Sequence, residues 1–233
     1  MLNFLSNSPI GSLMQGDFLG FLLNTLYIIP AIVIALSFHE AAHAWAAYKM
    51  GDPTARNLGR MTLDPTKHFT VFGLLSFLLL GFGWGKPVPI NPRNFTNYKR
   101  ANIFVSTAGV TTNLLISFIF FWILVLLYAI GVNNNVVTTI IGYIIYLNVI
   151  LCFFNLIPIP PLDGHHLVKG FLARHTPKFY FWYQRYGMFL PLAIIFLPRF
   201  IPVFPNVLWY YFNYTAGYVM QGYNALLALI FGA

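Results

Sequence analysis

The chain has 233 residues, 58% of them hydrophobic and 18% aromatic, and its 8% charged residues compare with about 25% in a soluble domain. A water-soluble protein of this length cannot bury that much apolar surface, which excludes an ordinary soluble fold and makes the lipid bilayer the natural solvent. Thirteen Lys and Arg against five acids give a net charge of +8, yet the bases lie in short loops between apolar runs and form no separate basic helix, which excludes nucleic acid and points to an anionic leaflet.

About 20 apolar residues are needed to cross the hydrocarbon core as helix. Residues 1–20 carry no Lys or Arg, so the first apolar run lacks the basic flank of a cleavable signal peptide and reads as a retained span. That span covers Phe18 to Ser37, continues as helix to Met50 and stops at Gly51-Asp52-Pro53. Val71 to Phe82 is too short to cross and is broken by Gly81-Phe82-Gly83-Trp84-Gly85. Residues 71–95 therefore read as a re-entrant or membrane-surface hairpin, with Lys86-Pro87-Val88-Pro89-Ile90 extended. Ala101 to Val132 and Val136 to Ile157 are the next two spans, joined by the turn Asn133 to Asn135. Met188 to Leu197 is short for a span, whereas Val207 to Phe231 is long enough but rich in tyrosine. The expectation is an all-α, multi-pass helix bundle of about five spans, forming one transmembrane domain over residues 1–233. Cys152 is the only cysteine, so neither a disulfide nor a thiolate metal site is available.

Loop charge orients the spans. The amino terminus and the asparagine turn have no base, while Lys49, Arg56, Arg60 and Lys67 follow the first span. Lys86, Arg93, Lys99 and Arg100 precede the second, and Lys169, Arg174, Lys178 and Arg185 follow the third. One topology satisfies all of these: amino terminus external, basic loops cytoplasmic.

His39-Glu40-Ala41-Ala42-His43 carries the chemistry. Residues four apart share a helix face, so both imidazoles can reach one metal ion. Glu40 is turned about 100° from His39 and can reach a water at the metal without being a ligand. It is the only glutamate in the chain, and a charge at membrane depth costs at least about 3 kcal/mol, so a functional use is expected. A tetrahedral zinc needs a third protein ligand. The candidates are Asp163, His165, His166, His68, His175 and Asp64. Asp163 is favoured because it follows Pro158, Pro160 and Pro161 at the cytoplasmic end of the third span, at the depth of the histidine pair. Its other use would be as N-cap of a helix starting at Gly164.

These residues resemble the site-2 protease family of intramembrane metalloproteases, over about Phe18 to Leu167. Asn155 to Gly164 looks like the family's second metal motif, Asn-x-x-Pro followed by Leu-Asp-Gly. Gly59-Arg60 through His68, and Gly83-Trp84-Gly85-Lys86-Pro87-Val88-Pro89, look like its compact branch without PDZ or CBS domains. The resemblance implies His39, His43 and Asp163 as ligands of one zinc ion and Glu40 as general base. Ala108-Gly109-Val110-Thr111-Thr112-Asn113 resembles the family's Ala-Gly-Pro-x-x-Asn element, with Val110 in place of proline. It implies that Asn113, and with it Asn155, holds substrate or the oxyanion; as a buried amide Asn113 can equally serve as an interhelical hydrogen-bonding group. Phe69-Thr70-Val71-Phe72 departs from the family's segment after His68. His165 and His166 replace the family's frequent Gly-Arg, which assigns them at most a supporting place.

The function expected is hydrolysis of a peptide bond in a membrane-protein substrate, with Pro87, Val88, Pro89 and Ile90 pairing to the locally unwound strand. The alternative is a metal-binding or ion-transporting membrane protein without hydrolysis. A transporter spreads polar groups along several spans, whereas here the ionisable groups cluster at one depth.

Overall fold

The structure is a computed structural model that describes residues 9–80, 83–132, 134–201, 203 and 205–232. Its helices are α1 (Pro9–Met14), α2 (Phe18–Lys49), α3 (Thr54–Asn57), α4 (Val71–Leu80), α5 (Tyr98–Ala129), α6 (Asn135–Leu156), α7 (Gly164–His175), α8 (Pro177–Tyr186), α9 (Phe189–Phe200), α10 (Val207–Tyr214) and α11 (Ala216–Phe231). Among the described residues there is no strand, only an isolated antiparallel bridge between Phe69 and Gly85.

Among the described residues three helices are long and apolar enough to cross a membrane: α2, α5 and α6. Each starts on an Asx cap whose side chain accepts a backbone N–H: Asp17 from Gly20, Asn97 from Arg100, and Asn134 from Val136 and Val137. The cap on Asn97 explains why α5 starts at Tyr98, three residues before the run expected from hydropathy. At its far end α2 stops where Gly51 takes φ +102°, a conformation that suits glycine.

Among the described residues the expected count of about five spans is not confirmed. α9 has 12 residues, and Val207–Phe231 divides at Thr215 into helices of 8 and 16 residues. The Thr215 hydroxyl turns back onto the Tyr211 carbonyl at 2.7 Å, and the next backbone bond, Val219 N–H to Thr215 O, is stretched to 3.4 Å.

α2 and α5 run antiparallel at close range. Val105 packs on Ala46 and Ala47, and Asn113, two turns further along α5, bonds near Ala35. Ala31, Ala35, Ala46 and Ala47 are buried along this seam, the use expected of small residues between helices in lipid, while Ala44 is buried against Ala55 and Val88. α6 covers the pair through Tyr143 and Ile144 on Ile28, Ala31, Ile32 and Ile116. α11 closes the other side of α5 and α6, where Tyr223 stacks on Phe121 with ring centroids 4.4 Å apart. Large apolar side chains on the outer faces, such as Leu19, Leu26, Leu115, Phe118 and Leu126, are exposed, as lipid-facing residues should be.

The described residues of 71–95 form the two arms of the hairpin expected. α4 leaves and an extended segment returns, joined at their base by Lys86 N–H to His68 O at 2.7 Å. Gly73 and Gly83 let the arms touch, since a Cβ on Gly73 would overlap the carbonyl of Trp84. Gly81 and Phe82 lie outside the described residues.

Candidate metal centre

His39 and His43 sit one turn apart on the buried face of α2, and Asp163 reaches them from the start of α7. Nε2 of His39 and Nε2 of His43 are 3.0 Å apart, and Oδ2 of Asp163 lies 3.2 and 3.1 Å from them. This triangle has the size of one face of a tetrahedral zinc site, whose edges are about 3.3 Å for bonds of about 2.0 Å. Among the described residues it is the only group of three metal-capable side chains.

The other ring nitrogens are engaged in a way that suits a metal. Nδ1–H of His43 donates to the Val105 carbonyl at 2.8 Å, and Nδ1–H of His39 to Oδ1 of Asn113 at 2.6 Å. Both Nε2 lone pairs are thereby left for a ligand, and both rings are held in orientation. Gly109 of α5 is the floor of the site. A Cβ there would lie 2.5 Å from Cε1 of His39 and from Nε2 of His43, so no larger residue lets α5 pass.

Asp163 does not act as a cap: its side chain makes no capping bond to α7 and turns to the imidazoles instead. Burial alone would push its carboxyl up, but His39 and His43, when they also carry protons on Nε2, hold it well below the usual carboxylate range through hydrogen bonds and charge. The remaining third-ligand candidates are elsewhere. Asp64 caps the turn at Thr66, Nε2 of His68 bonds the Thr62 carbonyl, and His175 bonds the Phe171 carbonyl. His165 turns to Gln184 of α8, and burial, with His166 and Lys169 nearby, brings it down to about 4. His166 lines the cleft but stands outside the triangle.

Glu40 is half-buried beside the triangle, and its Oε2 accepts the Val88 N–H at 2.9 Å. Two more charged residues fix the same extended segment. Arg60 donates to the Lys86 carbonyl at 2.5 Å, and fully buried Asp52 accepts Asn91 N–H at 2.7 Å and Asn94 Nδ2 at 2.8 Å. Burial alone would push the Asp52 carboxyl up, but donors from Thr54, Asn94 and Asn91 hold it low.

A cleft of about 370 Å³ opens over the triangle and Glu40. Pro87, Val88, Ile90 and Asn155 line it, whereas Pro89 does not. Asn113 is fully buried below the site rather than in the cleft. Its Nδ2 donates to the Ala35 carbonyl at 3.1 Å and to Oδ1 of Asn148 at 2.8 Å, which leaves no donor for a substrate. Reasoning from sequence missed the places of Val105, Gly109 and Asn148. Asn148 did carry a signal, as an amide in the middle of an apolar span.

The chain matches the model of Peptidase family M50 over residues 27–137 and 130–198. It belongs to this family. It is 36% identical over 211 residues to "Putative zinc metalloprotease YwhC" of Bacillus subtilis, spanning 86% of this chain and 92% of the relative. It is 26% identical over 193 residues to "Putative zinc metalloprotease Rip2" of Mycobacterium tuberculosis, spanning 80% and 73%. No solved structure matches it with significance. Family M50 membership and the three apolar helices together make the chain a membrane protein, and the site-2 protease resemblance stands.

Proposed function

We propose that the chain is an intramembrane zinc metalloprotease in which His39, His43 and Asp163 hold one zinc ion and Glu40 is the general base. The observation that carries this reading is the Nε2, Nε2, Oδ2 triangle with the family's glutamate beside it. Two imidazoles and a carboxylate are a donor set that suits zinc and leaves a fourth position open. When bound, zinc supplies Lewis acidity, which acidifies water and polarises a carbonyl oxygen.

The residues of the chain do the rest. Glu40 has one carboxylate oxygen held by Val88, so the other is free to take a proton from the attacking water and later give it to the departing amine. A substrate helix satisfies its own carbonyls and must unwind before attack. The extended segment supports capture of the unwound strand. The Val88 N–H is already engaged, so pairing falls to the Val88 carbonyl and to Ile90, whose backbone groups have no partner among the described residues.

The substrates on this reading are membrane proteins, and residues 1–233 act as one transmembrane protease domain. The amino terminus is external and the site faces the cytoplasmic side. In support, His39 is about 15 Å from the carboxyl end of α2, the end that meets the basic loops carrying Arg60, Lys86 and Arg93.

The test is to reconstitute purified protein in liposomes with single-span substrates and measure zinc and cleavage together. One zinc per chain and a cleavage product that disappears on chelation are expected. Zinc-free protein that still cleaves would overturn the reading.

A further inference from the structure

Asn148, near the middle of α6, makes no contact with the triangle, yet a chain of hydrogen bonds leads from it to His39. It is fully buried, its Nδ2 donates to the Ile144 carbonyl at 2.8 Å, and its Oδ1 accepts Asn113 Nδ2 at 2.8 Å. The two ligand histidines differ in what holds them. His43 is held by a backbone carbonyl, which can only accept, so its tautomer is set by the main chain. His39 is held by a side-chain amide, and an amide can present either oxygen or nitrogen. Were Asn113 turned over, its NH2 would face Nδ1 of His39. The ring proton would then move to Nε2, the nitrogen the metal needs.

We propose that Asn148 is a positioning residue that, together with the Ala35 carbonyl, fixes the orientation of Asn113 and, through it, the tautomer of His39. The logic starts from groups whose role is unambiguous. The Ile144 carbonyl can only accept, so the Asn148 amide nitrogen lies there and its oxygen faces Asn113. The Ala35 carbonyl can only accept as well, so Asn113 Nδ2 meets two acceptors and its oxygen is left for His39. Three helices thus hand one polarity across the bundle, from α6 through α5 to α2. In lipid none of these buried groups has water as an alternative partner.

This inference rests on the zinc reading, and zinc affinity by chelator competition on purified protein tests the two separately. Wild type that binds no zinc overturns that reading, whereas an unchanged Asn148 variant overturns only this one. Asn148→Leu removes both polar groups at similar volume. It should weaken zinc binding about 10- to 100-fold, the range typical for lost outer-shell partners, and shift the visible bands of the cobalt-substituted protein. Asn113→Leu should do the same, and the double variant should bind no more weakly than Asn113→Leu alone, because both act through one bond to His39. Asn148→Asp is the control for folding. Burial keeps that carboxyl protonated, so it still donates to Ile144 and accepts from Asn113, and zinc affinity should stay within about threefold of wild type. Wild-type affinity and cobalt bands in Asn148→Leu, additive losses in the double variant, or a loss in Asn148→Asp as large as in Asn148→Leu would each overturn the proposal.

Discussion

The Glu40 carboxylate accepts the backbone N–H of Val88 at 2.9 Å, so the residue expected to move protons is held by the segment expected to receive substrate. Pro87 and Pro89 have no N–H, which leaves Val88 as the one donor between Lys86 and Ile90. Hydrogen bonds to charged groups contribute about 1.5–3 kcal/mol, or roughly 10- to 100-fold in rate if the base drifts without them. Val88→Pro keeps the segment extended and removes that donor, while also trimming the side chain that packs on Ala44 and Ala55. Cleavage should fall by this factor with zinc content unchanged, while Val88→Ile should cleave normally. Equal rates for the two variants would detach Val88 from the mechanism.

What the sequence disclosed and what it hid follow physical lines. His39, Glu40 and His43 were legible because helical spacing alone puts them on neighbouring faces. The three long spans were legible from apolar length, and the extended return of the hairpin from the alternating prolines. Asp163 was narrowed by depth, but whether its carboxylate capped α7 or met the histidines depended on how the proline-rich turn folds. For Asn113 the sequence allows either a substrate contact or an interhelical hydrogen bond, and its burial between Ala35, His39 and Asn148 depends on the register of three helices, which no single span encodes. The carboxy-terminal run is not confirmed as a span for a local reason, because it divides at Thr215, whose hydroxyl shares the Tyr211 carbonyl with its own N–H.

Gly109 offers a steric test of the site with no change of charge. An added methyl group would meet both imidazoles at 2.5 Å, and α5 cannot retreat without separating from Ala46 and Ala47. Gly109→Ala should weaken zinc binding at least tenfold, measured by chelator competition, because the rings must leave the triangle. Retention of wild-type affinity would mean the two helices are not as closely apposed as the structure has them.

Asp52 predicts an acid sensitivity of the segment it holds through Asn91 and Asn94. Its folded pKa lies below the ordinary carboxylate value, near 3.9. The stability it contributes is therefore complete above that value and is lost as pH falls from about 4 through the lower folded value. Asp52→Asn should melt at lower temperature at pH 7, by the equivalent of about 1–3 kcal/mol. Its melting temperature should also fall less than that of wild type between pH 5 and 3. Parallel pH profiles for the two proteins would show that Asp52 is not the group responsible.

Glu40 and Asp163 separate hydrolysis from mere metal binding. Glu40→Gln keeps the size of the side chain and removes its basicity, and Glu40 lies outside the triangle of ligand atoms. The variant should keep its zinc and lose cleavage by about 10²- to 10⁴-fold, the usual contribution of a general base. Asp163→Asn replaces the carboxylate of the proposed ligand by a neutral amide beside two imidazoles, so zinc and cleavage should decline together. Were Asp163 only a helix cap, asparagine would substitute with little loss, but its side chain makes no capping bond to α7. A metal transporter predicts a third pattern, in which neither wild type nor variant cleaves and Glu40→Gln alters flux alone. Zinc content and substrate cleavage, measured on wild type and both variants in the same liposomes, distinguish these cases. Wild-type cleavage by Glu40→Gln would remove the proposed mechanism, and full zinc in inactive Asp163→Asn would show that the third ligand is another residue.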